Sequence, residues 1–513
     1  MNESSLLLKQ CGSRKSQLKT SMLAVLLLGL MAHGMQFLSL APTHDYLFSF
    51  FEKEGEYVNA LELGRYLQPV FRAVTGTAAA APWSIGLISL GLIGLAVYGT
   101  AQMFEIRNQA AIWLLAGLMV TNQAVTATAG TYMTYLGPFC LSLTLSVFAA
   151  LCWKQFRETR KISHLAVGAL LAAASAGLYQ AYLFVTMTWI LLDSLRGILK
   201  DRTARQVILD GLAGLAMVLV GVGIYFALLT PVTALTGVAL KQGDYNSVSN
   251  VWQGGSSMIS GLIRCYRHFI LGFATEFASV LSRPVMAAVH LTLFLLTGGM
   301  LAMHCRREKK SAGAIVLALL MLAALPLASL GIVIINGEMH DLMKYALCGV
   351  YLLPLMGLQL TEKPGKGLAA LVAALMAVLI FSNIQTANVL YTEKQLEFDG
   401  TFSLMTNVLG EIEKVEGYEP GVTRVLFLGY PQDVTVKLPY KDQVEHITGG
   451  EVRSAITHPT KYGYFFRNIL QRDVNVIMEE DFRMELPPMP QYPQKGSIQM
   501  VDGIVVVNLT APQ

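Results

Sequence analysis

The chain has 513 residues, 54% of them hydrophobic and only 14% charged, with a formal charge of +4. Soluble globular proteins carry about a quarter charged residues, so this composition excludes an ordinary soluble domain, and so small a charge gives no footing for a nucleic-acid partner. Six cysteines without CxxC spacing indicate neither a metal site nor a disulfide scaffold.

The apolar residues fall in runs of about 18 to 25, the length a helix needs to cross about 30 Å of hydrocarbon. The first, 21–40, follows Lys9, Arg14, Lys15 and Lys19. It is too long for a signal-peptide core and no small-residue cleavage site follows, so it reads as an uncleaved helix with a cytoplasmic amino terminus. Helices near 83–104, 110–127 and 131–152 come next. The run 165–192 is long enough for one helix, but one crossing would put the basic stretch "DSLRGILKDRTARQ" on the same side as the outer loops. Lys- and Arg-rich loops stay inside, so the run is read as two short helices turning about "AGLYQAY". Helices near 207–230, 284–304, 311–335, 343–360 and 367–387 bring the total to about eleven. The loops "WKQFRETRKISH", "HCRREKK" and "TEKPGK" are then all cytoplasmic. The expected architecture is a polytopic all-α membrane region, 1–387, and a small extracytoplasmic α+β carboxy-terminal domain, 388–513. In that tail a helix near 401–416 precedes strands in "RVLFLGY", "VNVIM" and "IVVVNL".

Two long outer loops should lie along the membrane surface. In the first, Leu61, Tyr66 and Val70 recur at helical spacing with Glu62 and Arg65 between them. Asp45, just after the first helix, reads either as a general base or metal ligand at the outer surface or as a solvated helix cap. Glu54 and Glu56 extend the acidic character of this loop, as substrate or metal contacts or as a solvated face. Arg65 could grip a phosphate with its fork or snorkel to water. In the second loop, Lys241 precedes Arg264, Arg267 and His268, whose spacing forms a basic helical face suited to a lipid-linked phosphate or to anionic headgroups. The last outer turn gathers Glu338, His340, Asp341 and Lys344, and Tyr179 with Gln180 sits at the hairpin. Asn122 and Gln123, near the end of the third helix, either join helices or line a cavity. No P-loop, dinucleotide fingerprint or HExxH occurs, which argues against nucleotide-driven work. A transporter or flippase of lipid-linked sugars is the alternative, though no internal repeat or midplane charge supports it.

The ordered set "HDYLFSF", "LELGRYLQP", "GLYQAYL", "GEMHDLMKYAL" and "NVLYTEKQLEFDGTFSLMTNVLGEIE" resembles the bacterial GtrII membrane glucosyltransferases. The resemblance implies a GT-C-like, inverting hexosyltransferase of the bacterial inner membrane. It would take a sugar, glucose, from a polyprenyl phosphate and pass it to a cell-envelope glycan. It makes Asp45 the catalytic base and Arg65, with the basic residues of the later loops, the grip on the donor phosphate. The family's first loop carries two adjacent acids, whereas here His44 precedes Asp45, leaving Glu54 or Glu56 as the substitute. No cofactor is certain from this, and a divalent cation stays open.

Overall fold

A computed structural model of the chain describes residues 13–39, 41–43, 47, 53–77, 81–242, 258–274, 277–337, 339–361, 365–434, 437–452, 454–481 and 487–510. Helix α1 (Arg14–Leu38) starts where the Ser13 hydroxyl accepts from the Ser16 N–H. Surface helices α2 (Lys53–Glu62) and α3 (Leu67–Thr75) lead to α4 (Pro82–Met103). Then come α5 (Gln109–Val120), α6 (Gln123–Thr131), α7 (Leu136–Thr159), α8 (Ile162–Leu178), α9 (Leu183–Leu199) and α10 (Ala204–Thr236). After α11 (Met258–Ala274) follow α12 (Arg283–Arg307), α13 (Ala312–Leu330) and the short α14 (Ile332–Asn336). A 3₁₀ stretch (Asp341–Tyr351) runs into α15 (Leu352–Leu360), and α16 (Lys366–Ile412) closes the bundle.

Among the described residues, nine helices are long and apolar enough to cross a membrane, counting α7, α9 and α15 with their leading 3₁₀ turns. The bent pair α5–α6 makes ten if it is one span, and α8 is a shorter apolar helix, against the about eleven crossings expected from sequence. The chain is therefore membrane-embedded. Its outer helices confirm the solvent: Leu212, Leu219 and Val220 on α10 are each more than half exposed, a face that only lipid would cover. Asn108, Thr203 and Ser311 cap the starts of α5, α10 and α13 at the same end as Ser13, so the basic loops enter well-formed helices.

The run 165–192 is divided, as the charge pattern required. Helix α8 stops at Leu178, Tyr179 is extended at φ −161°, and a 3₁₀ turn starts the next helix. At about 1.5 Å per residue, the 17 residues of α8 reach only about 26 Å, short of a full hydrocarbon core. Three local expectations change. The third crossing is broken, because the Asn122 side chain accepts from Ala124 N and starts a new helix bent 42° from the first. The first surface helix is also broken, at Leu63–Tyr66; Leu61 and Tyr66 are buried, while Val70 faces outward at 54% exposure. Finally, the last crossing and the helix expected near 401–416 are one continuous 47-residue helix.

Beyond α16 lies a four-stranded sheet of β1 (Arg424–Leu428), β2 (Asn475–Ile477), β3 (Ile498–Val501) and β4 (Ile504–Asn508), ordered β2-β1-β4-β3. Strand β1 pairs parallel with β2 and β4, and β3 is antiparallel to β4. All five residues of β4 are buried, as expected of a central strand covered on both faces. A second core forms here from Met405, Val408 and Ile412 of α16 with Val425, Phe427, Phe465, Val505 and Val507. Leu47, from the first long loop, is fully buried in that core.

Candidate functional site

At the bundle end away from the basic loops, the chain turns from α2 into α3 through Gly64, whose φ of +68° is a left-handed conformation that suits glycine. The turn is held from below. Gln180 Nε2 donates to Leu63 O at 2.8 Å and to the Tyr225 hydroxyl at 3.0 Å, and that hydroxyl donates to Gly64 O at 3.1 Å. Tyr66 stacks on Tyr225 with ring centroids 5.7 Å apart. Burial pushes the Tyr66 hydroxyl up to about 12, so it stays protonated, and no described residue takes its proton.

This frame fixes Arg65, whose guanidinium carbon lies 4.9 Å from the Tyr179 ring centroid and 5.8 Å from that of Phe139. Its Nε is buried without a hydrogen-bond partner among the described residues. A buried N–H left unpaired costs about 1–3 kcal/mol, which an arriving anion would recover. Below Arg65 runs an apolar cavity of about 240 Å³ lined by Gln180, Phe184, Met187, Leu219 and Phe226 among others. Leu219 is 61% exposed on the lipid face, so the cavity communicates with the bilayer. One end is greasy and open to lipid; the other is cationic.

A second set of contacts knits the nearby loops together. Thr43 Oγ1 donates to Thr131 O at 2.9 Å, and Leu47 N donates to Thr43 O at 2.8 Å. Thr131 Oγ1 in turn donates to Thr448 O at 3.3 Å. Thr448 and Asp341 exchange hydrogen bonds: Thr448 N to Asp341 Oδ2 at 2.7 Å and Asp341 N to Thr448 Oγ1 at 2.9 Å. The other Asp341 oxygen takes Lys344 Nζ at 2.9 Å. From Tyr132, beside Thr131, an aromatic ladder passes through Tyr135 and Phe139 to Tyr179, which stacks on Phe139 at 3.9 Å beneath Arg65.

The structure thus brings Arg65, Tyr179 and Gln180 to one cavity, and Asp341 with Lys344 to the joint with the tail. Lys344 also lines a smaller cavity with Asn122, Gln123, Phe273 and Asn383. Asp45 and Glu338 lie outside the described residues; Thr43 and Leu47, each two positions from Asp45, are described and anchored. Glu54 and Glu56 belong to α2, and their side chains are outside the description. Lys241 joins the two long loops, its N–H donating to Glu62 O at 2.9 Å. On α11, Arg264 and His268 are half-buried and Arg267 is exposed; Arg264 Nε and Nη2 are buried and unpaired among the described residues. His340 is half-buried, next to Asp341. Among the described residues no three His, Cys, Asp or Glu side chains could hold a metal.

Sequence reasoning passed over Arg72, Tyr225 and Thr448. Arg72 is only 6% exposed, with its guanidinium 5.7 Å from the Tyr135 centroid. Its signal was present: a second arginine in the apolar segment "QPVFRAV". Tyr225 lies in an apolar run and Thr448 in a loop, so neither announces its partner.

A family model described as "Glucosyl transferase GtrII" matches residues 34–357, well over half of the chain. Comparisons with curated proteins and with solved structures match nothing.

Proposed function

Because the chain belongs to the glucosyl transferase GtrII family, we propose that it moves a glucose from a polyprenyl-phosphate donor to an envelope glycan. The family makes it a glycosyltransferase, and the apolar helices embed it in the membrane. We place it in the bacterial inner membrane, basic loops inside, with the Arg65 end and the tail 388–513 outside.

The observation that carries the donor assignment is the lipid-open apolar cavity capped by Arg65. A polyprenyl chain is as apolar as the Phe184, Met187 and Leu219 walls, and its phosphate would meet an arginine with a buried donor still unused. The Tyr66 hydroxyl is a second donor within the same turn. In GT-C-like inverting transfer, the acceptor hydroxyl attacks the anomeric carbon while the bond from that carbon to the phosphate oxygen breaks. The hydroxyl proton goes to the Asp45 carboxylate and the electron pair leaves with the polyprenyl phosphate, whose growing charge Arg65 stabilises. The tail, tied to this end by Thr448 and Asp341, is well placed to receive the acceptor glycan.

The test is transfer by purified protein from polyprenyl-phosphate glucose to a candidate glycan, wild type against Asp45→Asn. A general base contributes about 10²–10⁴-fold, so kcat should fall by that factor with donor binding kept. Equal transfer by both would remove Asp45 from the chemistry. Lipid-linked sugar movement across vesicles without transfer would make the chain a flippase instead.

A further inference from the structure

The basic end holds a polar cavity of about 420 Å³ that glycosyl transfer at the other end does not use. Ser13, Arg14, Gln17, Glu105, Arg107 and Lys154 are among its walls. Lys154 is buried, and its ammonium is fully occupied by Met103 O at 2.8 Å, Gln102 O at 3.2 Å and Glu105 Oε1 at 3.2 Å. Two carboxylates also line the cavity: Glu105 is shared among Lys154, Arg196 at 3.2 Å and Lys200 at 3.5 Å, and Glu158 lies 3.9 Å from Lys154, so both acids already face cations other than Arg14 and Arg107. Arg14 and Arg107 have no ion pair with any described residue, and both are exposed at the cavity. The amino-terminal end of the 25-residue helix α1 opens onto the same space through Ser13, adding the positive end of its dipole.

Two forks and a helix start facing one polar hollow form a receptor for a compact, multiply oxygenated anion, for which bidentate arginine contacts are the strongest match. We infer that this cavity binds a phosphate group, delivered by the headgroup of an anionic phospholipid. The lipid source follows from level: Arg14 opens the membrane-spanning helix α1 and Arg107 comes four residues after the end of α4, so the cavity lies at headgroup depth. The site would anchor α1 to its leaflet.

Native mass spectrometry of the full-length protein, with phosphatidylglycerol or phosphatidylcholine in neutral detergent, tests this. Wild type should retain phosphatidylglycerol over phosphatidylcholine, and the double variant Arg14→Ala/Arg107→Ala should lose that retention by on the order of tenfold or more. The double lysine variant, which keeps the charges but not the forks, should keep only part of it. Both arginines are exposed and without described partners, so unfolding temperatures measured without lipid should be unchanged in every variant. A parallel arm uses inorganic phosphate alone: binding as tight as that of phosphatidylglycerol, lost in the alanine variant, would keep the phosphate site and overturn the lipid source. Equal retention of phosphatidylglycerol by wild type and the alanine variant would overturn the site itself.

Discussion

The two ends of the bundle treat buried positive charge in opposite ways. At the basic end, Asp193 is fully buried between Arg157 and Arg196, Arg196 reaches Glu105 as well, and Asp210 takes both Arg160 and Arg202. Arg157 at that end leaves its buried Nε unsatisfied but has Asp193 against it, whereas Arg65 and Arg264 at the other end keep buried unsatisfied nitrogens and pair with no acid among the described residues. A buried charge with its counter-charge in place serves the fold, because desolvation is offset within the chain. A buried donor with none is a cost the fold carries until something else arrives. The difference separates scaffold from candidate site without any knowledge of the substrate.

The contrast breaks most sharply at Asp193. Replacing it with alanine leaves buried Arg157 without an acid and Arg196 with Glu105 alone, and unfolding in detergent should register a loss of about 3–5 kcal/mol while the donor KM of the folded fraction stays unchanged. Arg65→Ala should do the reverse. Stability should hold or rise slightly, and kcat/KM for the donor should fall by about 10- to 100-fold, the worth of a hydrogen bond to a charged group. Arg65→Lys should recover only part, since a lysine cannot reproduce the fork. Thr448→Ala removes the acceptor for Asp341 N and should loosen the joint between tail and bundle by about 1 kcal/mol, seen as faster amide exchange around 437–452.

The smallest effect is one of pH. Burial raises the Glu105 carboxyl, but Arg196 and Lys154 together outweigh it and hold it at about 2, against an ordinary 4.5. The unfolded chain therefore binds the proton first on acidification. The stability from this carboxylate is complete above about pH 4.5 and is lost as pH falls toward 2. Glu105 is 47% exposed and screened by solvent, so Glu105→Gln should only shallow the acid limb of an unfolding profile between those values.

Much of this molecule was legible before any coordinates, because lipid imposes one simple rule on helix length and another on loop charge. The divided run 165–192 came from those rules alone, and Arg65 stood out as a cation in an apolar surface segment. The break at Asn122 did not, since a polar residue within an apolar helix reads equally well as a helix cap or as a hydrogen bond between helices. The end of the last crossing was placed where hydropathy falls, near Asn388, yet helical hydrogen bonding continues regardless of polarity to Ile412. Strand β3 was missed because "IQMV" is short and weakly alternating. The ties of Thr448 to Asp341 and of Gln180 to Leu63 join residues over a hundred positions apart, and no local pattern encodes them.

The central claim is that the Arg65-capped cavity holds the polyprenyl phosphate, and a photoreactive polyprenyl phosphate tests it most directly. Crosslinks mapped by mass spectrometry should fall on the peptides carrying Phe184, Met187, Leu219 and Phe226, and should fade when Arg65 is replaced by alanine. Crosslinks that cluster elsewhere, or that keep their yield in the Arg65→Ala protein, would contradict it.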